Sequence, residues 1–212
     1  MKLLFPKPIE KYVEEHSEPV NSLLVELEKE TYEKMDNPQM LSGRVEGRLL
    51  QMLVRISGAR KVLEIGTFTG YAAMMMAEGL PDNGELITCE KSKKYARVAQ
   101  RYFNRSEVGK KIHLRLGPAK KTLSQIPDKT IDFIFIDADK PSYSLYYEEG
   151  LRILKQGGLI AVDNVLWSGR ILNPKDNDSR AIAEFNKKVR EDSRVEKVIL
   201  TVRDGVYLIR KK

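Results

Sequence analysis

Cysteine is almost absent from this 212-residue chain, in which Cys89 is the only one. A single cysteine excludes an intrachain disulfide, so we expect a reducing compartment. Long hydrophobic runs are absent as well. No stretch approaches the roughly 20 apolar residues of a membrane-spanning helix, and the apolar stretch before Pro6 is too short for a secretion signal. These absences predict a cytoplasmic protein with no membrane partner.

Repeats, low-complexity tracts and long linkers are also missing. Hydrophobic residues make up 42% of the chain and charged residues 32%, a composition typical of globular proteins rather than disordered or fibrous ones. The length suits one domain with a sizeable core. We therefore predict a single domain over residues 1–212, in which a helical cap (1–58) precedes a core (59–212).

Positive charge is in excess, because 37 basic residues against 30 acidic ones give a net charge of +7. Eleven basic residues and one acidic residue lie between Lys91 and Lys121. Some of them fall at helical spacing and form what we term the basic stripe: Lys94, Arg97, Arg101 and Arg105. Most charges on helices form a solvated outer face, which is the favoured interpretation. The alternative is an anionic partner such as a nucleic acid, since phosphate contacts dominate its binding.

Short apolar runs alternate with helical patterns from about residue 60 onward, which indicates an α/β fold. The predicted strands cover residues 61–65, 86–90, 112–116, 131–136, 159–162, 195–202 and 206–209. The predicted helices cover residues 9–16, 42–58 with Ser42 as N-cap, 69–79, a basic segment that ends at Gly109, 143–154 and 176–192. Asp204 and Gly205 lie between two branched apolar runs, a pattern typical of a hairpin. The last strand should therefore be antiparallel.

Acidic side chains follow the predicted strands, and ligands of open α/β sheets bind at the carboxyl ends of the strands. Glu64 lies at the first strand, just before the turn from Gly66 to Gly70, and Glu90 closes the second strand. The two glycines are four residues apart, which does not match the Gly-x-Gly-x-x-Gly phosphate fingerprint. Glu90 is placed to accept both hydroxyls of a ribose. A nucleoside that carries positive charge suits these acids, and S-adenosylmethionine fits that description.

A second group of polar side chains suits a hard cation. Asp137 closes the fourth predicted strand, and Asp163 and Asn164 close the fifth. Three such oxygens favour magnesium, manganese or calcium over zinc. A substrate with two adjacent hydroxyls can complete the coordination, and the cation favours a deprotonated hydroxyl. Lys140 is expected to have its pKa lowered by the nearby cation and to act as general base.

Together these segments resemble the metal-dependent catechol and caffeoyl-coenzyme A O-methyltransferases, a class I methyltransferase group. The resemblance runs from about Met40 to the C-terminus, and its carrying segments are residues 40–47, 64–71, 117–119, 137–140 and 163–167. It implies a Rossmann-like fold with a seven-stranded, mostly parallel sheet and an antiparallel last strand. Helices on both faces and extra N-terminal helices complete the expected fold.

The resemblance also implies roles for individual residues. The residues expected to bind the methyl donor are Ser42, Glu64, Gly66, Thr67, Tyr71, Ala72, Glu90, Ala119 and Asp137. The metal is expected on Asp137, Asp163 and Asn164, with Lys140 and Asp137 catalytic and the substrate against Lys140 and Trp167. Trp167 either walls the substrate pocket or only packs its loop. Family members commonly have a serine where this chain has Ala72, so one donor to the methionine carboxylate is missing here.

These features leave three functions open. The leading one is metal-dependent transfer of a methyl group from S-adenosylmethionine to a hydroxyl of a catechol-type vicinal diol. The alternative is methylation of a hydroxylated uridine in transfer RNA, with the basic 91–121 face binding the RNA. An S-adenosylmethionine-binding module without catalysis is disfavoured, because the metal ligands and Lys140 are all present. The resemblance further implies a homodimer.

Overall fold

The computed structural model describes residues 6–212. Seven strands form one mixed sheet in the order β3-β2-β1-β4-β5-β7-β6. The last strand runs antiparallel to both of its neighbours, so the predicted sheet is confirmed. Contacts divide the described chain into two compact units, residues 6–119 and residues 120–212. The predicted division into a helical cap (1–58) and a core (59–212) stays a prediction, and residues 1–5 lie outside the described part.

The first unit contains three parallel strands. They are β1 (Lys61–Ile65), β2 (Glu85–Glu90) and β3 (Ile112–Leu116). Glu64 pairs with Thr88 in the register of β1 and β2. Because the strands are parallel, Glu64 and Glu90 approach the same edge of this part of the sheet.

Five helices accompany these strands. They are α1 (Lys7–Glu15), α2 (Ser22–Lys34), α3 (Gly43–Ile56), α4 (Tyr71–Gly79) and α5 (Lys93–Arg105). The sequence analysis did not predict α2, whose buried face is narrow and carries Leu24, Leu27 and Thr31. Asn21 caps this helix by accepting a hydrogen bond from the Leu24 amide. Ser42 precedes α3 as predicted, but its backbone is already helical (φ −58°, ψ −32°), which is not the extended conformation of a typical N-cap.

The basic stripe on α5 faces acidic side chains of α2 and of the segment after it. Lys94 Nζ lies 2.7 Å from Asp36 Oδ2, and Arg101 lies 2.6 Å from Glu30 Oε1. Arg105 donates to both carboxylate oxygens of Glu26, at 2.7 and 2.6 Å. Three of the four stripe cations are thus paired within the protein. All four stripe residues are exposed, as expected for a solvated face, and three of them also form ion pairs.

Helix α5 ends at Arg105, four residues before the predicted end at Gly109. Ser106 leaves the helical conformation (φ −94°, ψ 139°) and caps a short 3₁₀ helix, Glu107–Lys111, by accepting a hydrogen bond from the Val108 amide. Gly109 instead lies against the end of α5. A Cβ at this position would overlap the carbonyl oxygen of Phe103. Close approach of two backbones, rather than helix termination, explains the glycine.

The second unit contains parallel strands β4 (Ile131–Ile136) and β5 (Leu154–Val162), followed by the hairpin of β6 (Val195–Leu200) and β7 (Val206–Lys211). Its helices are α6 (Ala119–Leu123, at the boundary), α7 (Tyr143–Ile153) and α8 (Asn177–Glu191). Strand β5 begins five residues before the predicted start, with a register irregularity opposite Ile131 and Phe133. Across residues 6–212, no helix combines the length and apolar character needed to cross a membrane.

Two glycine substitutions test this packing. We expect Gly109→Ala to lower the free energy of unfolding by about 1–3 kcal/mol, the usual cost of forcing atoms into a packed site. Gly150→Ala is the matched control, because Gly150 lies within α7 and an added Cβ would meet its nearest atoms at 3.4 Å. This second change should be neutral or stabilise the protein by up to about 1 kcal/mol. Chemical denaturation of both variants checks the prediction, and equal effects would contradict it.

Candidate active site

The turn after β1 is a glycine-dependent loop. Gly66 and Gly70 have left-handed backbone, with φ of 107° and 93°. The amides of Gly66 and Thr67 both donate to the Cys89 carbonyl, at 3.1 and 3.2 Å. These bonds join the turn after β1 to the end of β2. Phe68, within the turn, also has a left-handed backbone (φ 49°), which is uncommon for a large side chain.

Glu90 holds this strained turn. Its Oε2 accepts a hydrogen bond from the Phe68 amide at 2.8 Å, and its Oε1 accepts one from the Ser92 amide at 2.8 Å. The carboxylate is mostly buried, with 8% of the residue exposed. Each carboxylate oxygen can accept two hydrogen bonds, so both oxygens keep capacity for the hydroxyls of a bound ligand. Glu90 thus shapes the turn in addition to its predicted role in binding.

Glu64 is completely buried at the end of β1. Thr88, its partner in the register with β2, donates a hydrogen bond to Glu64 Oε2. The Thr88 hydroxyl is also bonded to the hydroxyl of Thr67 in the turn. Thr88 was not among the predicted site residues, and only the observed register of β1 with β2 places it opposite Glu64.

The other predicted donor-binding residues of the first unit lie at the start of α4, before α3 and at the start of α6. Tyr71 is the first residue of α4, and Gly47 of α3 packs so closely on it that an added Cβ would lie 3.1 Å from Tyr71 Cε1. Ala72 and Ser42 are buried. Ala119 begins α6, two residues after a glycine whose amide donates to the Glu90 carbonyl at 2.8 Å.

The Tyr71 hydroxyl is buried and has no hydrogen-bond partner within the described residues 6–212. Burial raises the pKa of this phenol, so it stays protonated at neutral pH and can donate. Buried polar atoms without a partner are uncommon in native proteins.

The predicted metal ligands and Lys140 come together at the ends of β4 and β5. Lys140 Nζ donates to Asp137 Oδ1 at 3.0 Å and to Asn164 Oδ1 at 2.7 Å. Asp163 accepts from the Asn164 amide at 2.6 Å and from Asn164 Nδ2 at 2.8 Å. The four side chains, separated by up to 27 positions in the chain, therefore form one contiguous cluster.

This cluster fits a hard divalent cation. Within residues 6–212 no three His, Cys, Asp or Glu side chains are grouped as a metal site, and the predicted site offers two carboxylates and one amide oxygen instead. Burial, followed by repulsion from Asp137, raises the pKa of Asp163 to about 7. A cation would favour the charged form of this carboxyl group. Oxygen donors of this kind suit magnesium or calcium.

The pKa of Lys140 differs from the sequence-based expectation. Burial alone would lower it, but Tyr143 and the carboxylates of Asp137 and Asp163 outweigh burial, so that the pKa is raised. The expected lowering depends on the charge of a neighbouring dication. The protein groups by themselves have the opposite effect, because they surround the ammonium with oxygen atoms.

Tyr143, the first residue of the predicted helix 143–154, belongs to the same cluster. Its hydroxyl accepts a hydrogen bond from Lys140 Nζ at 2.6 Å and donates one to the Asp163 carbonyl at 3.0 Å. The side chain is fully buried, and its ring packs edge-on against Phe185. The spacing of three residues from Lys140 was the available signal.

Trp167 lies beside Lys140 in this unit. The Lys140 Nζ is 5.5 Å from the centre of the indole ring, and Arg170 Cζ is 4.9 Å from it. The indole Nε1 is buried and lacks a hydrogen-bond partner in the described part of the chain. The choice between a pocket wall and packing of the loop stays a prediction.

Comparisons with known proteins find a family and solved structures that match most of the chain. Residues 14–212 match the O-methyltransferase family. Probable caffeoyl-CoA O-methyltransferase 2 of Dictyostelium discoideum is 35% identical over 218 residues, which cover 100% of this chain and 94% of that protein.

Two solved structures are similar over the whole fold. An O-methyltransferase from Bacillus cereus in complex with SAH is 31% identical, with a TM-score of 0.89 and 97% coverage of each chain. The O-methyltransferase TomG from Streptomyces achromogenes, involved in tomaymycin synthesis and in complex with SAM, is 25% identical, with a TM-score of 0.89. The match covers 97% of this chain and 96% of the TomG chain.

The raised pKa of Asp163 predicts a pH-dependent stability in the presence of a chelator. A carboxyl group whose pKa is higher in the folded state stabilises the protein fully below its unfolded pKa, near 3.8, and loses that contribution as pH rises. The loss should be complete above about pH 7. The raised pKa of Lys140 has no effect in this window, because its ammonium stays charged in both states.

The measurement is chemical denaturation between pH 4 and 8 with Asp163→Asn as reference. We expect the free energy of unfolding of the wild type to fall relative to that of the variant across this range. A constant difference between the two proteins would contradict the prediction.

Proposed function

We propose, on the premise that this chain belongs to the O-methyltransferase family, that it methylates one hydroxyl of a catechol in a reaction that depends on a divalent metal. Its S-adenosylmethionine-dependent O-methyltransferase activity of the caffeoyl-CoA type follows from the family and from structural relatives that hold SAM or SAH. What we propose beyond that premise is that the acceptor is a catechol and that the reaction needs a metal. The observation that carries them is the gathering of Asp137, Asp163 and Asn164 around Lys140.

The donor half of the reaction uses the first unit. Glu64 and Glu90 offer buried carboxylates rather than a phosphate cradle, which suits a ribose and a positively charged nucleoside. The turn from Gly66 to Thr67 brings backbone close to the ligand. The Tyr71 hydroxyl is free to donate, and we assign Ser42, Ala72 and Ala119 to the same site.

The acceptor half uses the second unit. Asp137, Asp163 and Asn164 would hold magnesium, or manganese or calcium with the same oxygen donors. A divalent cation supplies charge that lowers the pKa of a coordinated hydroxyl. Trp167 orients a flat acceptor against its indole face.

Lys140 Nζ accepts the proton that the acceptor hydroxyl loses. The overall reaction converts the sulfonium donor and the hydroxyl into a thioether, a methyl ether and a proton. Lys140 must be neutral to accept that proton, whereas the surrounding oxygens of Asp137 and Tyr143 favour its charged form. The residue therefore acts as a base only when the local negative charge has been offset. Positioning and charge, rather than covalent catalysis, carry the rate enhancement.

Transfer RNA as the acceptor remains a prediction, as do a homodimer and a cytoplasmic location. The charge argument for RNA is weaker than it was from the sequence. Lys94, Arg101 and Arg105 of the basic stripe are bonded to carboxylates, so they have less charge to offer to phosphates. A catechol is favoured because it needs only the cluster around Lys140.

The proposal is tested by methyl transfer to small catechols and to bulk transfer RNA, with magnesium or with excess chelator. We expect catechol turnover with magnesium and its loss with chelator. Asp163→Ala should lower turnover by about 100-fold or more, because loss of the metal removes several kcal/mol of charge stabilisation. Full activity in chelator would refute the metal dependence.

Two measurements separate loss of chemistry from loss of folding. Asp163→Ala should bind S-adenosylmethionine with unchanged affinity in titration calorimetry. Asp128→Ala is the control variant, since Asp128 forms an exposed ion pair with Arg152 and should leave turnover unchanged. Methylation of RNA without methylation of any catechol would show that RNA, and not a catechol, is the acceptor.

A further inference from the structure

The β6–β7 turn contacts the loop that carries the tryptophan, residues 165–169, which we term the indole loop. The Val165 amide donates to the Gly205 carbonyl at 3.1 Å, and the Leu166 amide donates to the Asp204 carbonyl at 2.9 Å. The Ser168 amide donates to Asp204 Oδ1 at 2.5 Å. Two neighbouring residues of one turn therefore accept three backbone hydrogen bonds from the indole loop.

The indole loop has a conformation that its own sequence does not favour. Trp167, Ser168 and Gly169 have left-handed backbone in succession, with φ of 46°, 55° and 79°. Only the last of them is a glycine, and left-handed backbone is uncommon for other residues. Such conformations persist when the surrounding structure determines them, and they cluster at functional sites.

The turn is built for this contact. Gly205 also has a left-handed backbone (φ 87°), and a Cβ there would overlap the side chain of Leu166. Asp204 is only 2% exposed, whereas an aspartate that merely favours a hairpin turn can stay in water. Burial raises the pKa of Asp204, and the bond from the Ser168 amide opposes that effect. Burial of this carboxyl group therefore costs free energy, and one of its oxygens accepts a hydrogen bond from the indole loop.

We propose that Asp204 is a positioning residue that holds the indole loop, and with it the Trp167 ring, in the conformation that receives the acceptor. Asp204 acts through the Ser168 amide and through its own carbonyl on Leu166. Its importance for catalysis rests on the proposed function, but its control of the loop does not. Removal of the carboxyl group releases Trp167 from its place beside Lys140.

Fluorescence tests the control of the loop directly, because Trp167 is the only tryptophan in the chain. We expect Asp204→Ala to shift the emission maximum to longer wavelength and to increase quenching by acrylamide. Asp204→Asn keeps an oxygen that can accept from the Ser168 amide, so it should retain the wild-type spectrum. The measurement needs no substrate and no turnover.

Kinetics test the link to the acceptor. Asp204→Ala should raise the KM for a catechol by about tenfold or more, the effect of losing one hydrogen bond to a charged group. The dissociation constant for S-adenosylmethionine should stay unchanged, and Asp204→Asn should restore the KM. A raised KM for the acceptor with an unchanged dissociation constant for the donor distinguishes loss of loop positioning from loss of folding.

Asp192→Ala is the matched control for destabilisation. Asp192 is a largely buried aspartate of the same unit that bonds to Tyr147 and Arg194. If Asp204→Ala does not fold, Asp204→Ser provides a small polar side chain for the same measurements.

Three results would overturn the proposal: an unchanged spectrum without the carboxyl group, an equal spectral shift in Asp192→Ala, or an Asp204→Asn variant that behaves like Asp204→Ala. If the wild type methylates no catechol, the proposed function fails, while the fluorescence still decides whether Asp204 holds the loop.

Discussion

A buried ammonium group surrounded by oxygen atoms organises the second unit of this protein. Lys140 Nζ lies within 3.0 Å of Asp137 Oδ1, Asn164 Oδ1 and the Tyr143 hydroxyl. An isolated charge in this position would be very costly, so each group depends on the others for compensation. Asp137 and Asn164 follow the ends of β4 and β5. These strand ends must therefore keep their position relative to the first turn of α7.

The first unit uses carboxylates in a related way. Glu90 accepts hydrogen bonds from the amides of Phe68 and Ser92, and Thr88 donates to Glu64. Each acid thus stabilises the turn beside it before any ligand binds. Preorganisation of this kind lowers the cost of ordering a site when a ligand binds. The acids predicted to bind the donor therefore also shape the loop.

Charge on the surface of a helix has a different meaning in the sequence and in the structure. The basic stripe on α5 predicted either a solvated face or an RNA contact. Helix α2 supplies Glu26 and Glu30 to Arg105 and Arg101. A run of like charges indicates a partner, but the partner can be another segment of the same chain.

The sequence alone determined the alternation of strands and helices and the antiparallel last strand, and it predicted the site residues. These features depend on local chemistry: apolar runs, an Asp-Gly turn, and acids at the ends of strands. Tertiary structure decided what depends on contacts between distant segments, because such contacts leave no local pattern. The pairing of α2 with the basic stripe, the hydrogen bond of Thr88 to Glu64, the raised pKa of Lys140 and the burial of Asp204 against the indole loop are all of this kind. Strand register and packing bring these groups together, and the energy of a polar group is set by the neighbours that it meets there.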